Sequence, residues 1–207
     1  MIHILYLAAG SARRFGSNKL LHPLEGKPLF RHSLDWLAAL VAQRQDCTLT
    51  VVSRYEEILT TAAAMGLSAV ESPDSGKGIS YTIRAGIGSL PLLSPADFLL
   101  FVVADQPWLR RETVERLLQG AKPGLWAATT AFGDRVGNPT LFSSPLVPAL
   151  LALEGDQGGR SILKSEPQRC LRVAAQEEKE LWDIDYREQI SIATQKKGNT
   201  CLSDDTN

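Results

Sequence analysis

The chain has 207 residues, of which 44% are hydrophobic and 22% charged, a length and apolar content that suit one α/β domain with a substantial core and would leave two domains each small. Lys and Arg number 22 against 23 Asp and Glu, a formal charge of -1, so no global basic field favours nucleic acid or an anionic membrane, and a phosphate ligand must be held locally. Apolar stretches such as Phe98 to Ala104 fall well short of the roughly 20 residues a spanning helix needs. Cys47, Cys170 and Cys201 are odd in number, far apart and without metal-ligand spacing, which points to reduced thiols rather than a disulfide framework or a zinc site. The amino terminus lacks the charged-then-apolar layout of a secretory signal. A cytoplasmic location is expected, with neither nucleic acid nor membrane as partner.

The opening residues read as a strand, His3 to Ala9, that runs into Gly10-Ser11-Ala12-Arg13-Arg14-Phe15-Gly16-Ser17-Asn18-Lys19. Gly10 and Gly16 can take positive φ and leave backbone N–H groups uncovered, while Arg13, Arg14 and Lys19 supply positive charge, which makes a phosphate cradle. The plainer reading is a tight loop with a solvated basic surface. Phe30, Leu34, Leu37 and Val41 then repeat at helical spacing, with Pro28 placed in the first turn. Thr48 to Ser53 is a β-branched strand, and Glu56 to Met65 a helix closed by Gly66. Leu67 to Glu71 is a short strand and Ser80 to Leu90 a helix. The near-continuous apolar run Phe98 to Ala104 is a strand covered on both faces, as in the middle of a mostly parallel sheet.

Further along, Thr113 to Leu118 reads as a helix, and Leu125 to Phe132 with Arg135 to Phe142 as strands around Gly133-Asp134. Leu146 to Leu153 and Ser161 to Lys164 are short helices, Cys170 to Ala174 a last strand and Tyr186 to Ala193 a terminal helix. Residues 1–194 form one domain, and the polar, aperiodic residues 195–207 a disordered tail. The alternation predicts a three-layer α/β/α sandwich, Rossmann-like with a mostly parallel sheet, in which ligands gather outside the carboxyl ends of the strands. Asp105 ends the most apolar strand there. It is either a ligand for Mg²⁺, which takes one or two carboxylates plus waters and phosphates, or a helix N-cap.

Leu7-Ala8-Ala9-Gly10, Arg14-Phe15-Gly16, Lys19, Asp105-Gln106-Pro107, Gly137-Asn138-Pro139, Gly155-Asp156 with Gly158 and Arg160, and Asp183-Ile184-Asp185 occur in this order. The set resembles the MobA-like nucleotidyltransferases, and among them the molybdenum cofactor cytidylyltransferases. The resemblance runs from about residue 4 to residue 190. It implies a Mg²⁺-dependent enzyme that transfers CMP from CTP to a molybdopterin-type phosphate and releases pyrophosphate, with a molybdoenzyme or its chaperone as receiver of the product. Another phosphorylated acceptor, or a non-catalytic nucleotide-binding accessory role, is the alternative.

Under this resemblance the nucleotide is held by Leu7, Ala8, Ala9, Gly10, Ser11, Arg14, Lys19, Ser80 and Asp105, with Lys19, Arg14 and Asp105 catalytic. Asp105 and Asp185 hold the metal, and Asn138, Asp156 and Arg160 the acceptor. Plainer roles compete: an N-cap for Ser80, a cap of the last helix for Asp185, a hairpin turn for Asn138 and a surface ion pair for Asp156 with Arg160. Ala12 and Thr82 stand where the family usually carries Ser, and Tyr186-Arg187-Glu188-Gln189 replaces Thr-Pro-Glu-Asp. His3, His22 and His32 read as structural, Trp36, Trp126 and Trp182 as core, and Trp108 as either structural or a wall of the pocket.

Overall fold

The computed structural model describes residues 1–10 and 18–185. In chain order the strands are β1 (Ile2–Leu7), β2 (Pro23–Leu24), β3 (Lys27–Pro28), β4 (Cys47–Ser53), β5 (Ser68–Glu71), β6 (Phe98–Val103), β7 (Ala127–Phe132), β8 (Arg135–Ser143) and β9 (Cys170–Ala174). The α-helices are α1 (Arg31–Ala42), α2 (Glu56–Ala64), α3 (Ile79–Gly88), α4 (Arg111–Gly120), α5 (Val147–Leu151) and α6 (Arg160–Ser165). Among the described residues β5-β4-β1-β6-β8-β7-β9 form one seven-stranded sheet. The pairs β1–β4, β1–β6, β4–β5 and β7–β9 are parallel, and β8 runs against both of its neighbours. The α/β sandwich with a mostly parallel sheet is therefore present.

Both faces of the central strands are covered, which is why they read as unbroken apolar runs. Ile2, Ile4 and Tyr6 of β1, with Phe98, Leu100 and Val102 of β6, pack with Leu34 and Leu37 of α1, Ile58 of α2 and Val114 and Leu117 of α4. The alternate residues Leu5, Leu7, Leu99 and Phe101 pack with Ile83 and Ile87 of α3, Leu150 of α5 and Leu163 of α6. Period-2 side chains thus feed two cores at once.

The expected helix over Phe30 to Val41 is α1, but Pro28 is not in its first turn. Pro28 closes the two-residue strand β3, paired with β2 across a turn in which Glu25 (φ 51°) and Gly26 (φ 79°) both take positive φ. Two positive φ values define the hairpin turn that matches strand twist. The expected terminal helix at 186–193 and the tail at 195–207 lie outside the described residues. Cys47 and Cys170 are free thiols. His3 is buried against Thr48, and the His32 ring nitrogen lies 3.0 Å from the Leu24 carbonyl oxygen, so both are structural. Trp36 and Trp126 pack on the cores, whereas Trp182 is 42% exposed and stacks edge-on against Trp108.

Tyr6 carries one polar atom into the first core. Its hydroxyl donates to the Phe30 carbonyl at 2.7 Å and lies 2.9 Å from Ser33 Oγ, joining β1 to the start of α1. Burial raises its pKa far above the ordinary tyrosine value, so the group works only as a neutral hydrogen-bonding hydroxyl. Tyr6→Phe leaves the Ser33 hydroxyl and the Phe30 carbonyl short of a buried partner and is expected to lower unfolding free energy by about 1–2 kcal/mol. Urea denaturation checks this, with the slope unchanged.

Candidate active site

The sheet order places β4 and β5 on one side of β1 and β6 on the other. At such a switch point the carboxyl ends of the two central strands diverge and leave a crevice. Leu7 is in register with Val103, so Ala8-Ala9-Gly10 and Ala104-Asp105 leave the sheet side by side. A cavity of about 220 Å³ opens there, walled by Leu7, Ala9, Gly10, Lys19, Asp105 and the 75–82 segment among others.

Lys19 begins a 3-10 turn, Lys19–Leu21, capped by Asn18, whose side-chain oxygen accepts from the Leu20 N–H at 3.1 Å. Leu20 is buried, and its carbonyl accepts from the Phe30 N–H at 3.1 Å, which fixes the turn to the start of α1. The Lys19 ammonium lies 2.8 Å from Asp105 Oδ2 and 3.0 Å from Asp185 Oδ1, with only 7% of the residue exposed. Burial disfavours its charge, but the charge and hydrogen bond of Asp105, and then those of Asp185, outweigh burial and raise its pKa.

Asp185 is brought to Asp105 by the backbone: the Ile184 N–H donates to the Asp105 carbonyl at 3.0 Å, and the Ile184 side chain is fully buried. Upstream, the buried Glu180 carboxylate accepts from the Gln176 and Glu177 N–H groups and from the Arg110 N–H. It thereby ties the start of α4 to the segment that carries Asp183 and Asp185. Gln106 donates to Asp183 Oδ1 at 2.8 Å. Asp183 is an exposed residue, yet partial desolvation of its carboxyl first and the Asp105 charge second push it up to about 6, against the pull of the Gln106 hydrogen bond.

Two carboxylates on separate segments that share one cationic neighbour suit a hard divalent cation. Such a cation takes one or two carboxylates and completes its shell with water and phosphate oxygens. The donor set therefore fits Mg²⁺ held with a substrate phosphate. Among the described residues no cluster of three or more ligating side chains forms an all-protein cage.

A second cavity of about 420 Å³ shares Leu7, Ile79, Val103 and Asp156 with the first and adds Ile83, Phe101, Asn138, Thr140, Arg160 and Lys164. Asn138 is not in a turn. It sits within β8 where the register with β7 shifts between Thr129 and Thr130, and such a bulge re-aims a side chain. The Asn138-Pro139 peptide is cis. No ion pair joins Asp156 to Arg160 among the described residues.

Of the nucleotide residues expected from sequence, Leu7, Ala9, Gly10, Lys19 and Asp105 converge on the first cavity. Ala8 does not. It faces the first core, its N–H donates to Val52 and its carbonyl accepts from Ser53 Oγ. Gly10 does not take positive φ, and a Cβ there would meet nothing within 4 Å among the described residues. Ser80 is inside α3 with Gly78 as the cap residue, and its buried hydroxyl lines neither cavity. Asp105 caps no helix, since α4 is preceded by Arg110 at its cap. Trp108 walls neither cavity. Ser11, Arg14 and Gly16 lie outside the described residues.

A MobA-like NTP transferase domain model matches residues 4–172. The chain belongs to the MobA-like NTP transferase family. Purine catabolism protein PucB of Bacillus subtilis (strain 168) is 30% identical over 197 residues, 91% of this chain and 93% of that protein. Bifunctional protein GlmU of Burkholderia orbicola (strain MC0-3) is 33% identical over 136 residues, 64% of this chain but only 28% of that longer protein. Among solved structures, a nucleotidyl transferase from Methanothermobacter thermautotroptrophicus superposes with a TM-score of 0.76 at 21% identity, over 97% of this chain and 99% of that one. Molybdopterin-guanine dinucleotide biosynthesis protein A from Archaeoglobus fulgidus gives 0.63 at 17% identity, over 95% and 99%. The MobA-like chain thus shares its fold with these proteins.

One contact of this MobA-like domain has no sequence signature beyond a pair of glycines. Gly78 has φ 130°, and a Cβ there would lie 2.1 Å from the Gly155 carbonyl carbon and oxygen. The Ser80 N–H donates to that same carbonyl at 3.1 Å. The 72–80 segment and the Asp156 loop are locked backbone to backbone. Gly78→Ala combines a disfavoured φ with backbone overlap and is expected to cost at least about 2 kcal/mol. Thermal unfolding checks this, and a variant with unchanged Tm contradicts the lock.

Proposed function

We propose that the protein is a Mg²⁺-dependent nucleotidyltransferase that moves CMP from CTP to the terminal phosphate of molybdenum-bearing molybdopterin and releases pyrophosphate. The observation that carries this reading is the Lys19 ammonium held between Asp105 and Asp185 at the carboxyl ends of β1 and β6, beside a separate cavity able to take an acceptor. Membership of the family supports the reaction class. The choice of cytidine follows the Ala8-Ala9 pair before Gly10 in the resemblance to cytidylyltransferases. The molybdopterin acceptor is supported by that resemblance and by the fold shared with a protein of molybdopterin-guanine dinucleotide biosynthesis.

In the reaction an oxygen of the acceptor phosphate attacks the α-phosphorus of CTP in line. The new P–O bond forms as the bond from the α-phosphorus to the bridging oxygen breaks, and the electron pair leaves with pyrophosphate. Such transfers depend on positioning and charge stabilisation and need no covalent enzyme intermediate. Asp105 and Asp185 would hold Mg²⁺, which neutralises phosphate oxygens and the charge that develops on the leaving group. Lys19, with Arg14 of the opening loop, supplies fixed positive charge to the departing pyrophosphate. On the acceptor side Asn138 offers an amide to a polar heterocycle, and Arg160 a planar fork to a phosphate.

Pyrophosphate release measured with CTP, GTP and ATP, with and without molybdenum cofactor, tests the proposal. Release is expected only with CTP and acceptor together, and release with a different phosphorylated acceptor alone overturns the assignment. Asp105→Asn is expected to lower turnover on the order of 10³-fold and also to lower Tm, because only the more exposed Asp185 then faces the buried Lys19. Lys19→Ala is expected to lower kcat roughly 10²-fold. A loss confined to KM, recovered at saturating CTP, contradicts the role given to Lys19.

A further inference from the structure

Beyond Leu7, the last residue of β1, the chain runs through Ala8 and Ala9 to Gly10, and Ala9 and Gly10 wall the first cavity. The turn that joins β4 to α2 accompanies it. The Ala8 N–H donates to the Val52 carbonyl at 2.8 Å, and Ser53 Oγ donates to the Ala8 carbonyl at 2.8 Å while accepting from the Tyr55 N–H at 3.0 Å. The Tyr55 hydroxyl then donates to the Gly10 carbonyl at 3.0 Å, the single hydrogen bond that Gly10 makes among the described residues. Ser53 and Tyr55 line neither cavity.

We propose that Tyr55 is a positioning residue for the triphosphate: its hydroxyl holds the Gly10 carbonyl toward the β4–α2 turn, outside the cavity, so that this oxygen is not presented to phosphate. The inference rests on the nucleotidyltransferase reading. Gly10 borders the cavity together with Lys19, so a triphosphate drawn to the ammonium passes beside the Gly10 peptide. A carbonyl oxygen facing it repels an anion, whereas a backbone N–H attracts one. Sterics do not make that choice here, because glycine has the widest range of backbone conformations and a Cβ at this position would meet nothing within 4 Å among the described residues. The tether itself is held from several sides. Tyr55 is the cap residue of α2, its ring packs on the first core, and the Arg54 guanidinium lies 5.6 Å from the ring centroid. Without the hydroxyl, Gly10 must be ordered when the ligand binds, and affinity falls accordingly.

Equilibrium binding of CTP and of inorganic triphosphate, each with Mg²⁺, to the wild-type chain, Tyr55→Phe and Tyr81→Phe tests this, with Tm measured on all three. Tyr55→Phe keeps the ring and loses a solvent-exposed bond, so Tm is retained. It is expected to weaken CTP and inorganic triphosphate alike, about three- to tenfold. Tyr81→Phe is expected to bind both like wild type, since that ring lies against Lys77 and Arg84 and borders neither cavity. Unchanged affinity in Tyr55→Phe, a loss confined to CTP, a loss that accompanies a lowered Tm, or an equal loss in Tyr81→Phe each overturns the assignment. A wild-type chain that binds neither ligand defeats the nucleotidyltransferase reading and this inference together, whereas tight wild-type binding indifferent to the Tyr55 hydroxyl defeats this inference alone.

Discussion

A nearly buried ammonium is tolerable only because two carboxylates share it. Lys19 is 7% exposed, and an unpaired charge at that depth would cost several kcal/mol. Its partners come from the end of β6 and from a segment 166 residues away in sequence, so one charge closes the domain around the carboxyl edge of its sheet. Asp183 lies close enough to Asp105 and Asp185 for their charges to add to desolvation in raising it to about 6.

The apolar sheet is what makes the corner rigid. Because β1 and β6 are covered on both faces, neither strand can shift by one residue without turning a full set of apolar side chains out of its core. The register Leu7 to Val103 is therefore fixed, and with it the place where Gly10 and Asp105 emerge. Packing sets the geometry; the polar residues beyond the strand ends inherit it.

This division explains which parts are legible in the sequence. Strands with continuous apolar runs and helices with apolar residues three and four apart are legible to within a few residues, since burial on a regular element leaves a periodic trace. The β2–β3 hairpin left none: its strands have two residues each and contain Pro23 and Pro28, and Glu25-Gly26 is a weaker turn signal than Asn-Gly. The convergence of Lys19, Asp105 and Asp185 was accessible only because the order of short motifs resembles a family. Ala8 shows the limit of that route, since strand alternation turns it into the core although it lies inside the motif. Gln106 with Asp183 and the Glu180 cap depend on contacts between distant segments, and no local pattern encodes them.

The two cavities share a wall made of Leu7, Ile79, Val103 and Asp156. In the proposed reaction two anionic substrates must meet there, although phosphates repel each other and both are repelled by Asp156. The compensating charge stands on opposite sides: Lys19 borders the first cavity alone, and Arg160 with Lys164 the second alone. Each substrate is then drawn to its own side, and contact between them is confined to the apolar stretch where the sheet ends. An in-line displacement needs this arrangement, with attacking and leaving oxygens on opposite sides of one phosphorus. The Gly78–Gly155 lock fixes the distance between the two sides, because it joins the turn behind the first cavity to the loop that carries Asp156.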